Sequence, residues 1–235
     1  MIVGGGPVGL ELAGEIFAAY PDKKVTIVHS HANLLNNSQP PLSSKFTARM
    51  LKLVEQMGAT VILDDRVNVN LEELDANNMI VNSTTYTTGK GERVEADLLV
   101  WCVGTSSTNL KLYRDSGWES SLCSGHLKCT KYLQVEGVGD GKIFALGDIA
   151  DTGATKMMYH AGEQAKIVAK NLVLLEQGKG LKPYPVPKKG TMIVPLGPKG
   201  GAGDIGITIL GSGMTSKIKG QDLFTKKVKK DLLGL

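Results

Sequence analysis

The sequence predicts an α/β fold, with one complete α/β domain, part of a second one and a small C-terminal α+β segment. Three observations predict it. A glycine motif, Gly4-x-Gly6-x-x-Gly9, follows a short apolar strand, apolar runs alternate with helical patterns, and a late apolar run ends at Gly147-Asp148. The chain has 29 glycines and only 5% aromatic residues, which fits backbone-lined ligand sites and argues against a disulfide scaffold or a disordered chain.

The first 28 residues form the clearest unit. A strand at Ile2-Val3 is followed by a helix over about 8–20, a turn at 21–24 and a second strand at 25–28. This order, within roughly 30 residues, is the strand–helix–strand arrangement of dinucleotide-binding domains. We therefore predict a Rossmann-like NAD(P)-binding domain at the start of the chain.

Each glycine of the motif has a physical role in such a unit. Gly4 lets the chain turn off the strand, Gly6 lets the backbone approach a pyrophosphate, and Gly9 lets the helix pack closely on the strand. The helix start, at Pro7 and Val8, presents the free N–H groups that follow Pro7 and the positive end of the helix dipole to the phosphates. These five residues are candidate cofactor contacts, and the alternative is a glycine-rich turn without a ligand.

Two further positions near this motif bear on the cofactor. Glu11 and Glu15 lie four residues apart on one helix face, so that one of them can approach a ligand, although both could form a solvated acidic stripe. The second strand ends at His29, Ser30 and His31, where NAD enzymes usually carry an acid for the ribose hydroxyls. Without that acid NADPH should be tolerated as well as NADH. His29 is a candidate cofactor contact, with a surface-loop role as the alternative.

The remaining pattern predicts three domains, at 1–106, 107–178 and 179–235. Helices are expected at 43–57 and 159–177, buried strands at 60–63, 97–103 and 142–146, an antiparallel meander at 66–96, and a hairpin at 127–135. The strand over 142–146 runs into Gly147-Asp148, which puts a carboxylate at the carboxyl edge of a parallel sheet, where ligands bind. Asp148 there could accept hydrogen bonds from a polyol such as ribitol.

Charge is unevenly distributed. The net charge is +4, but residues 179–235 contain 11 Lys and 3 Asp, which gives +8 and leaves −4 for the rest. The basic segment could contact an anionic membrane surface or nucleic acid, or could be a solvated surface. Nucleic acid is disfavoured, because Phe224 is the one aromatic residue among the terminal lysines. No apolar run reaches the roughly 20 residues of a membrane span. We expect a cytoplasmic protein, with peripheral membrane contact as a further possibility, and no metal site.

The order of these segments resembles the glutathione-reductase-like flavoprotein superfamily. The matching pieces are GGGPVGLELAGE, VTIVHS, ADLLVWCVGT, VEGVGDGKIFALGDIAD and KMMYHAGEQA. Within the superfamily, the chain is most similar to the apoptosis-inducing-factor-homologue branch typified by ferroptosis suppressor protein, through LQVEG, KMMYHAG, PLGPKGGAG and KGQDLF. The resemblance covers essentially the whole chain. It implies an FAD-dependent NAD(P)H oxidoreductase that reduces quinones.

The resemblance also implies roles for individual residues. Gly4, Gly6, Gly9 and Glu11 would bind NAD(P)H, Gly104 would lie at the crossover between domains, and Asp148 would hold the FAD ribitol. The helix start near Met157, Met158 and Tyr159 would face the flavin. Lys156, beside that helix start, could support negative charge on the reduced flavin or could be a surface lysine. Such enzymes begin with another βαβ unit that binds the FAD pyrophosphate, and we expect this chain to lack it. The isolated chain is then expected to bind NAD(P)H weakly and no FAD. The alternative is a non-catalytic NAD(P)H-binding fragment whose basic tail binds an anionic membrane or nucleic acid.

Overall fold

The computed structural model describes residues 1–104 and 110–233, with the backbone alone at 231 and 232. The strands are β1 (Ile2–Val3), β2 (Thr26–Val28), β3 (Thr60–Ile62), β4 (Met79–Thr87), β5 (Arg93–Trp101), β6 (Leu122–Cys123), β7 (His126–Lys128), β8 (Ala150–Asp151), β9 (Met192–Leu196), β10 (Gly200–Asp204) and β11 (Ile209–Leu210). The helices are α1 (Pro7–Ala19), α2 (Ser44–Gln56), α3 (Lys111–Asp115), α4 (Met158–Glu176), α5 (Ser212–Thr215) and α6 (Thr225–Leu233).

The chain forms two compact units. The first contains residues 1–37, 41–104 and 189–235, and the second contains 38–40 and 105–188. This differs from the three domains expected from the sequence, because the basic C-terminal segment joins the N-terminal domain instead of standing alone. The expected boundary at 106 lies outside the described residues. The second of the three stretches that make up the first unit ends at Gly104.

The first unit is built on a five-stranded sheet in the order β3-β2-β1-β5-β4. β1 lies at its centre, parallel to both β2 and β5, and Ile2 is paired with Ile27 on one side and Val100 on the other. The apolar residues on one face form a buried core that includes Val3, Val28 and Leu99. Parallel strands covered on both faces need such apolar side chains. The α/β class predicted from the sequence is confirmed.

β5 departs from the predicted arrangement. The sequence suggested a meander that ended at 96 and a separate parallel strand over 97–103. In the structure β5 is a single nine-residue strand, antiparallel to β4 along most of its length and parallel to β1 at Val100 and Trp101. One strand can serve both neighbours because its two edges offer independent sets of backbone donors and acceptors.

The C-terminal part of the first unit is a three-stranded antiparallel sheet, β11-β10-β9, with α5 and α6. It packs on α1 at Gly14, where the missing side chain lets the backbone of Leu196 and Gly197 approach the helix. It also meets α2, because Asp204 at the end of β10 accepts hydrogen bonds from the backbone N–H (3.1 Å) and the hydroxyl (2.5 Å) of Ser43.

The second unit contains the small sheet β6-β7-β8 and the long helix α4. The strand expected over 142–146 is not a regular one in the structure. Its residues make an isolated bridge between Phe144 and Gln134, together with backbone bonds to Leu133 and Val135. A regular strand would need a continuous ladder, and these few bonds supply only part of one. The hairpin expected over 127–135 is present in reduced form, as an antiparallel bridge between Cys129 and Val135 with backbone bonds from Thr130 to Gln134 and from Glu136 to Lys128. A further antiparallel pair, β6 and β7, precedes it.

Candidate functional site

The glycine turn between β1 and α1 is tightly packed on its inner side. Gly4 has φ +118°, and a Cβ there would lie 2.6 Å from the carbonyl oxygen of Cys102, so both the conformation and the space require glycine. A Cβ on Gly9 would overlap the carbonyl oxygen of Gly4. The turn therefore closes directly against the sheet and the helix.

The outer side of the same turn is open. A Cβ on Gly6 would meet no atom within 4 Å. Gly6 precedes Pro7, the first residue of α1, and no side chain caps the helix at Gly6. The backbone N–H groups of a helix start that lacks a side-chain cap attract anions, and the helix dipole adds to this. Gly6 and the start of α1 are thus a candidate subsite for a phosphate group.

Glu11, one turn into α1, forms an ion pair with a residue far away in the sequence. The Nζ of Lys219 lies 2.7 Å from Oε1 of Glu11, and the two side chains are 22% and 26% exposed. Lys219 also donates to the carbonyl oxygen of Ile193 on β9, at 3.4 Å. Partial burial makes this pair stronger than an exposed surface pair. The alternative of a wholly solvated acidic stripe does not apply to Glu11, whereas Glu15 is exposed.

The end of β2 is occupied by two histidines in different environments. His29 is buried, and its ring faces the glycine turn, with Nδ1 3.1 Å from the backbone nitrogen of Gly5. His31 is exposed and hydrogen-bonds through Nδ1 to the hydroxyl of Ser30, at 3.0 Å. The surface-loop alternative is thus wrong for His29. The structure brings His29 to the candidate site, where its ring contacts the backbone of the glycine turn.

In the second unit, the Gly147-Asp148 turn is held by a buried glutamine. The Oε1 of Gln164, on α4, accepts a hydrogen bond from the N–H of Gly147 at 2.7 Å, and its Nε2 donates to the hydroxyl of Thr152 at 3.1 Å. Gly147 has φ +73°, which favours glycine. Asp148 itself is exposed. A carboxylate presented on a rigid turn can accept hydrogen bonds from a polyol.

Lys156 and Met157 lie just before α4. Lys156 donates a hydrogen bond to the carbonyl oxygen of Ala150. Burial lowers the pKa of Lys156, and the carboxylates of Asp151 and Asp148 oppose that shift. Met157 is the residue that precedes the helix, and no side chain caps it. Asp148 and Lys156 therefore act on each other electrostatically.

Two residues that hold these sites were missed by sequence reasoning. Lys219 lies 208 residues from Glu11, and nothing in its own segment indicates that the two side chains meet. Gln164 lies within an ordinary helical pattern, where nothing signals that its side chain is buried. Gly104 is exposed at the end of the first unit, and its role at the crossover remains a prediction.

Other kinds of site find no support in the part of the chain that the structure describes. Among residues 1–104 and 110–233, no group of His, Cys, Asp and Glu side chains is arranged to hold a metal ion. The helices described there include none that is long and apolar enough to cross a membrane. The three cysteines, Cys102, Cys123 and Cys129, are free thiols.

The sequence matches a known family over most of its length. The model of the pyridine nucleotide-disulphide oxidoreductases covers residues 1–165. The chain belongs to this family. Members of this family are oxidoreductases that use FAD and NAD(P)H, and the two glycine turns described above are the candidate sites for those groups.

Curated relatives lie in the branch that the sequence had suggested. The chain is 37% identical to apoptosis-inducing factor homolog B of Dictyostelium discoideum over 95% of its own length and 60% of that protein. It is 36% identical to ferroptosis suppressor protein 1 of Mus musculus, over 95% of this chain and 57% of the relative. An FAD-dependent oxidoreductase of Flammulina velutipes, FVFD30, is 33% identical, with 95% and 66% covered. The chain thus spans about 60% of the length of the first relatives.

Solved structures show the same fold. A ferredoxin reductase for the CYP199A2 system of Rhodopseudomonas palustris gives a TM-score of 0.57 at 20% identity, over 78% of this chain and 42% of that one. The reduced CoADR-RHD of Bacillus anthracis gives a TM-score of 0.59 at 19% identity, over 83% of this chain and 32% of that one. At this level of identity the likeness concerns the fold alone.

Proposed function

We propose that the protein is an FAD-dependent NAD(P)H oxidoreductase that passes electrons to a quinone or a similar acceptor. The observation that carries this proposal is the glycine turn, which is closed at Gly4 and Gly9 and open at Gly6, beside the start of α1. A dinucleotide pyrophosphate needs backbone N–H groups that it can approach without meeting a side chain. The quinone acceptor rests on the resemblance to the ferroptosis suppressor branch.

Several side chains support the assignment of the pyridine nucleotide. Glu11 lies on the first turns of α1, and Lys219 fixes the position of its carboxylate. That carboxylate keeps acceptor capacity for a polar group of the nucleotide, because Lys219 uses only one of its oxygens. No acid follows β2, so a 2′-phosphate would meet the Ser30–His31 pair without repulsion. We propose that both NADH and NADPH are accepted.

The FAD assignment rests on the second unit. Asp148 would accept hydrogen bonds from the ribitol, and Gln164 keeps the turn that presents it in place. When bound, the flavin would take a hydride from the nicotinamide and hand electrons to the acceptor. Lys156, whose charge lies near Asp148, would stabilise negative charge beside the flavin.

The test compares this chain with a fusion that has the N-terminal FAD-binding unit of a relative placed before Met1. Both proteins are titrated with NADH and with FAD, and the chain alone should bind NADH through its glycine turn. The fusion should carry about one flavin and reduce a soluble ubiquinone analogue with NADH. Asp148→Ala in the fusion is the matched variant and should reduce flavin content. A flavin-loaded fusion without NAD(P)H oxidation would contradict the proposal.

We also propose that the basic C-terminal segment makes peripheral contact with anionic membranes. α6 carries Lys226, Lys227, Lys229 and Lys230, and apolar side chains just before it and within it are exposed, Leu223 at 49% and Leu233 at 64%. Each lysine at an anionic surface contributes about 1 kcal/mol, and the attraction falls with added salt. A basic helix next to exposed apolar side chains suits a lipid surface.

Sedimentation with phosphatidylserine liposomes tests this contact. Lys229→Glu together with Lys230→Glu should weaken binding about tenfold or more, because two attractive charges become repulsive. The matched control reverses Lys23 and Lys24, which are exposed in the turn after α1. Equal binding by the two double variants, or binding that does not respond to salt, would refute a role for α6.

A further inference from the structure

His29 is fixed to the sheet by its own backbone. Its N–H donates to the carbonyl oxygen of Ile62 at 2.8 Å, and its carbonyl oxygen accepts from the N–H of Asp65 at 3.1 Å. These bonds continue the pairing of β2 with β3 by one residue. The direction in which the His29 side chain leaves the backbone is therefore set by the sheet, and its ring is buried with 6% exposure.

The hydrogen bonds of the ring specify one protonation state. Nδ1 lies 3.1 Å from the backbone nitrogen of Gly5, which can only donate, so Nδ1 must be the unprotonated nitrogen. Nε2 lies 3.1 Å from the carbonyl oxygen of Asn33 and 3.1 Å from Oδ1 of Asn36. The carbonyl oxygen is an acceptor, so Nε2 carries the proton. The imidazole is neutral, and both of its nitrogens are used by the protein.

Gly5 is held from two sides as a result. Its N–H donates to His29, and its carbonyl oxygen accepts from the N–H of Leu35 at 3.0 Å. A Cβ on Gly5 would lie 2.9 Å from Cγ of His29 and would also overlap Leu34. The middle of the glycine turn is thus clamped onto the segment 29–35, and the next residue, Gly6, begins the open phosphate subsite.

We propose that His29 is a positioning residue of the nucleotide site, which holds the Gly5 N–H so that Gly6 and the start of α1 face the pyrophosphate. It takes the place in the sequence where a ribose-binding acid is expected, but it acts on the turn and does not touch the nucleotide. This inference rests on the proposed pyridine-nucleotide site. A carboxylate at this position could accept hydrogen bonds from the ribose. Both nitrogens of the imidazole are occupied, so neighbouring groups would have to bind the ribose and any 2′-phosphate.

Acid should break the hydrogen bond between the Gly5 N–H and Nδ1 of His29. Burial lowers the pKa of His29 below its usual value of 6.5; the hydrogen bonds to Asn33 and Asn36 oppose this shift, and His31, whose ring centroid is 5.5 Å away, adds to it. Protonated His29 has two donors and cannot accept from Gly5. Because the folded pKa lies below the unfolded one, the stabilisation is present above pH 6.5 and is lost as pH falls through the folded pKa.

Two near-isosteric variants test the role of Nδ1. The Oδ1 of asparagine has the same number of bonds to the backbone as Nδ1, whereas the amide of glutamine reaches the position of Nε2. NADH affinity, measured by fluorescence titration of the full chain, should stay within about threefold of wild type in His29→Asn and fall at least tenfold in His29→Gln. Thermal midpoints of both variants establish that they are folded. Equal NADH affinities in the two variants would overturn the proposal that Nδ1 of His29 positions Gly5.

A pH series supplies a second readout. ADP-ribose replaces NADH as the probe, because reduced nicotinamide decomposes in acid. Its affinity for the wild-type chain should fall severalfold as the pH is lowered from 7.5 through the range below 6.5, and the loss should persist in His31→Asn but disappear in His29→Asn. The same loss in His29→Asn would refute the role of His29. Absence of nucleotide binding by the wild-type chain at pH 7.5 would instead refute the proposed function, and this inference with it.

Discussion

Replacement of Gly14 by alanine is expected to lower the free energy of unfolding of the first unit by about 1–3 kcal/mol. A Cβ on Gly14 would lie 2.5 Å from the backbone nitrogen of Gly197 and would also overlap Leu196, at the end of β9. Backbone atoms cannot turn aside as a flexible side chain can. Gly197 in turn has φ +67°, and a Cβ there would lie 2.9 Å from the carbonyl oxygen of Gly14. α1 and β9 would have to separate.

The sign of this effect makes the experiment decisive. Helix propensity alone predicts that alanine in place of a helical glycine stabilises by up to about 1 kcal/mol. Gly213 in α5 belongs to the same unit, and a Cβ there would meet no atom within 4 Å. Urea unfolding followed by circular dichroism should show Gly14→Ala destabilised and Gly213→Ala unchanged or slightly stabilised. A Gly14→Ala protein as stable as wild type would show that β9 does not pack on α1 as described.

Gly6→Val is expected to lower NADH affinity at least tenfold, or about 1.4 kcal/mol, while the thermal midpoint stays close to that of wild type. Gly6 has φ −79° and ψ −177°, which any residue can adopt, and a Cβ there meets nothing. A valine side chain would therefore occupy only the space in front of the helix start. That space is where the proposed pyrophosphate would lie.

Gly9→Ala provides the contrast. Its Cβ would overlap the carbonyl oxygen of Gly4, so that both stability and nucleotide binding should fall together. Fluorescence titration with NADH, combined with thermal melts, separates the two outcomes. Unchanged NADH affinity in Gly6→Val would mean that the open side of the turn does not bind the nucleotide.

The strand predicted over 142–146 shows why an apolar run alone does not specify a strand. An apolar run such as Ile143 to Leu146 predicts a buried strand, but a strand also needs neighbours with which to pair. In the structure this run makes a single isolated bridge, to Gln134. Burial is also only partial, since Ala145 is buried and the other three side chains of the run are half-buried. The strand ladder depends on partners that the run itself does not specify.

The glycine motif is the feature that the sequence by itself determined. Gly4 is required by a positive φ and Gly9 by its close approach to the carbonyl oxygen of Gly4, and both requirements are local, so they leave a recognisable spacing in the sequence. The first helix, the strands on either side of it and the family followed from that spacing. The same holds for Gly147, whose turn conformation also favours glycine.

Tertiary structure alone decided which side chains meet at the sites. The sequence marked Glu11 and His29 but could not say that Lys219, 208 residues away, would pair with the first, or that the second would face Gly5. It also predicted a separate C-terminal domain at 179–235, although residues 189–235 pack in the same unit as α1. Such contacts depend on how separate elements pack, and long-range packing leaves no periodic pattern in the chain.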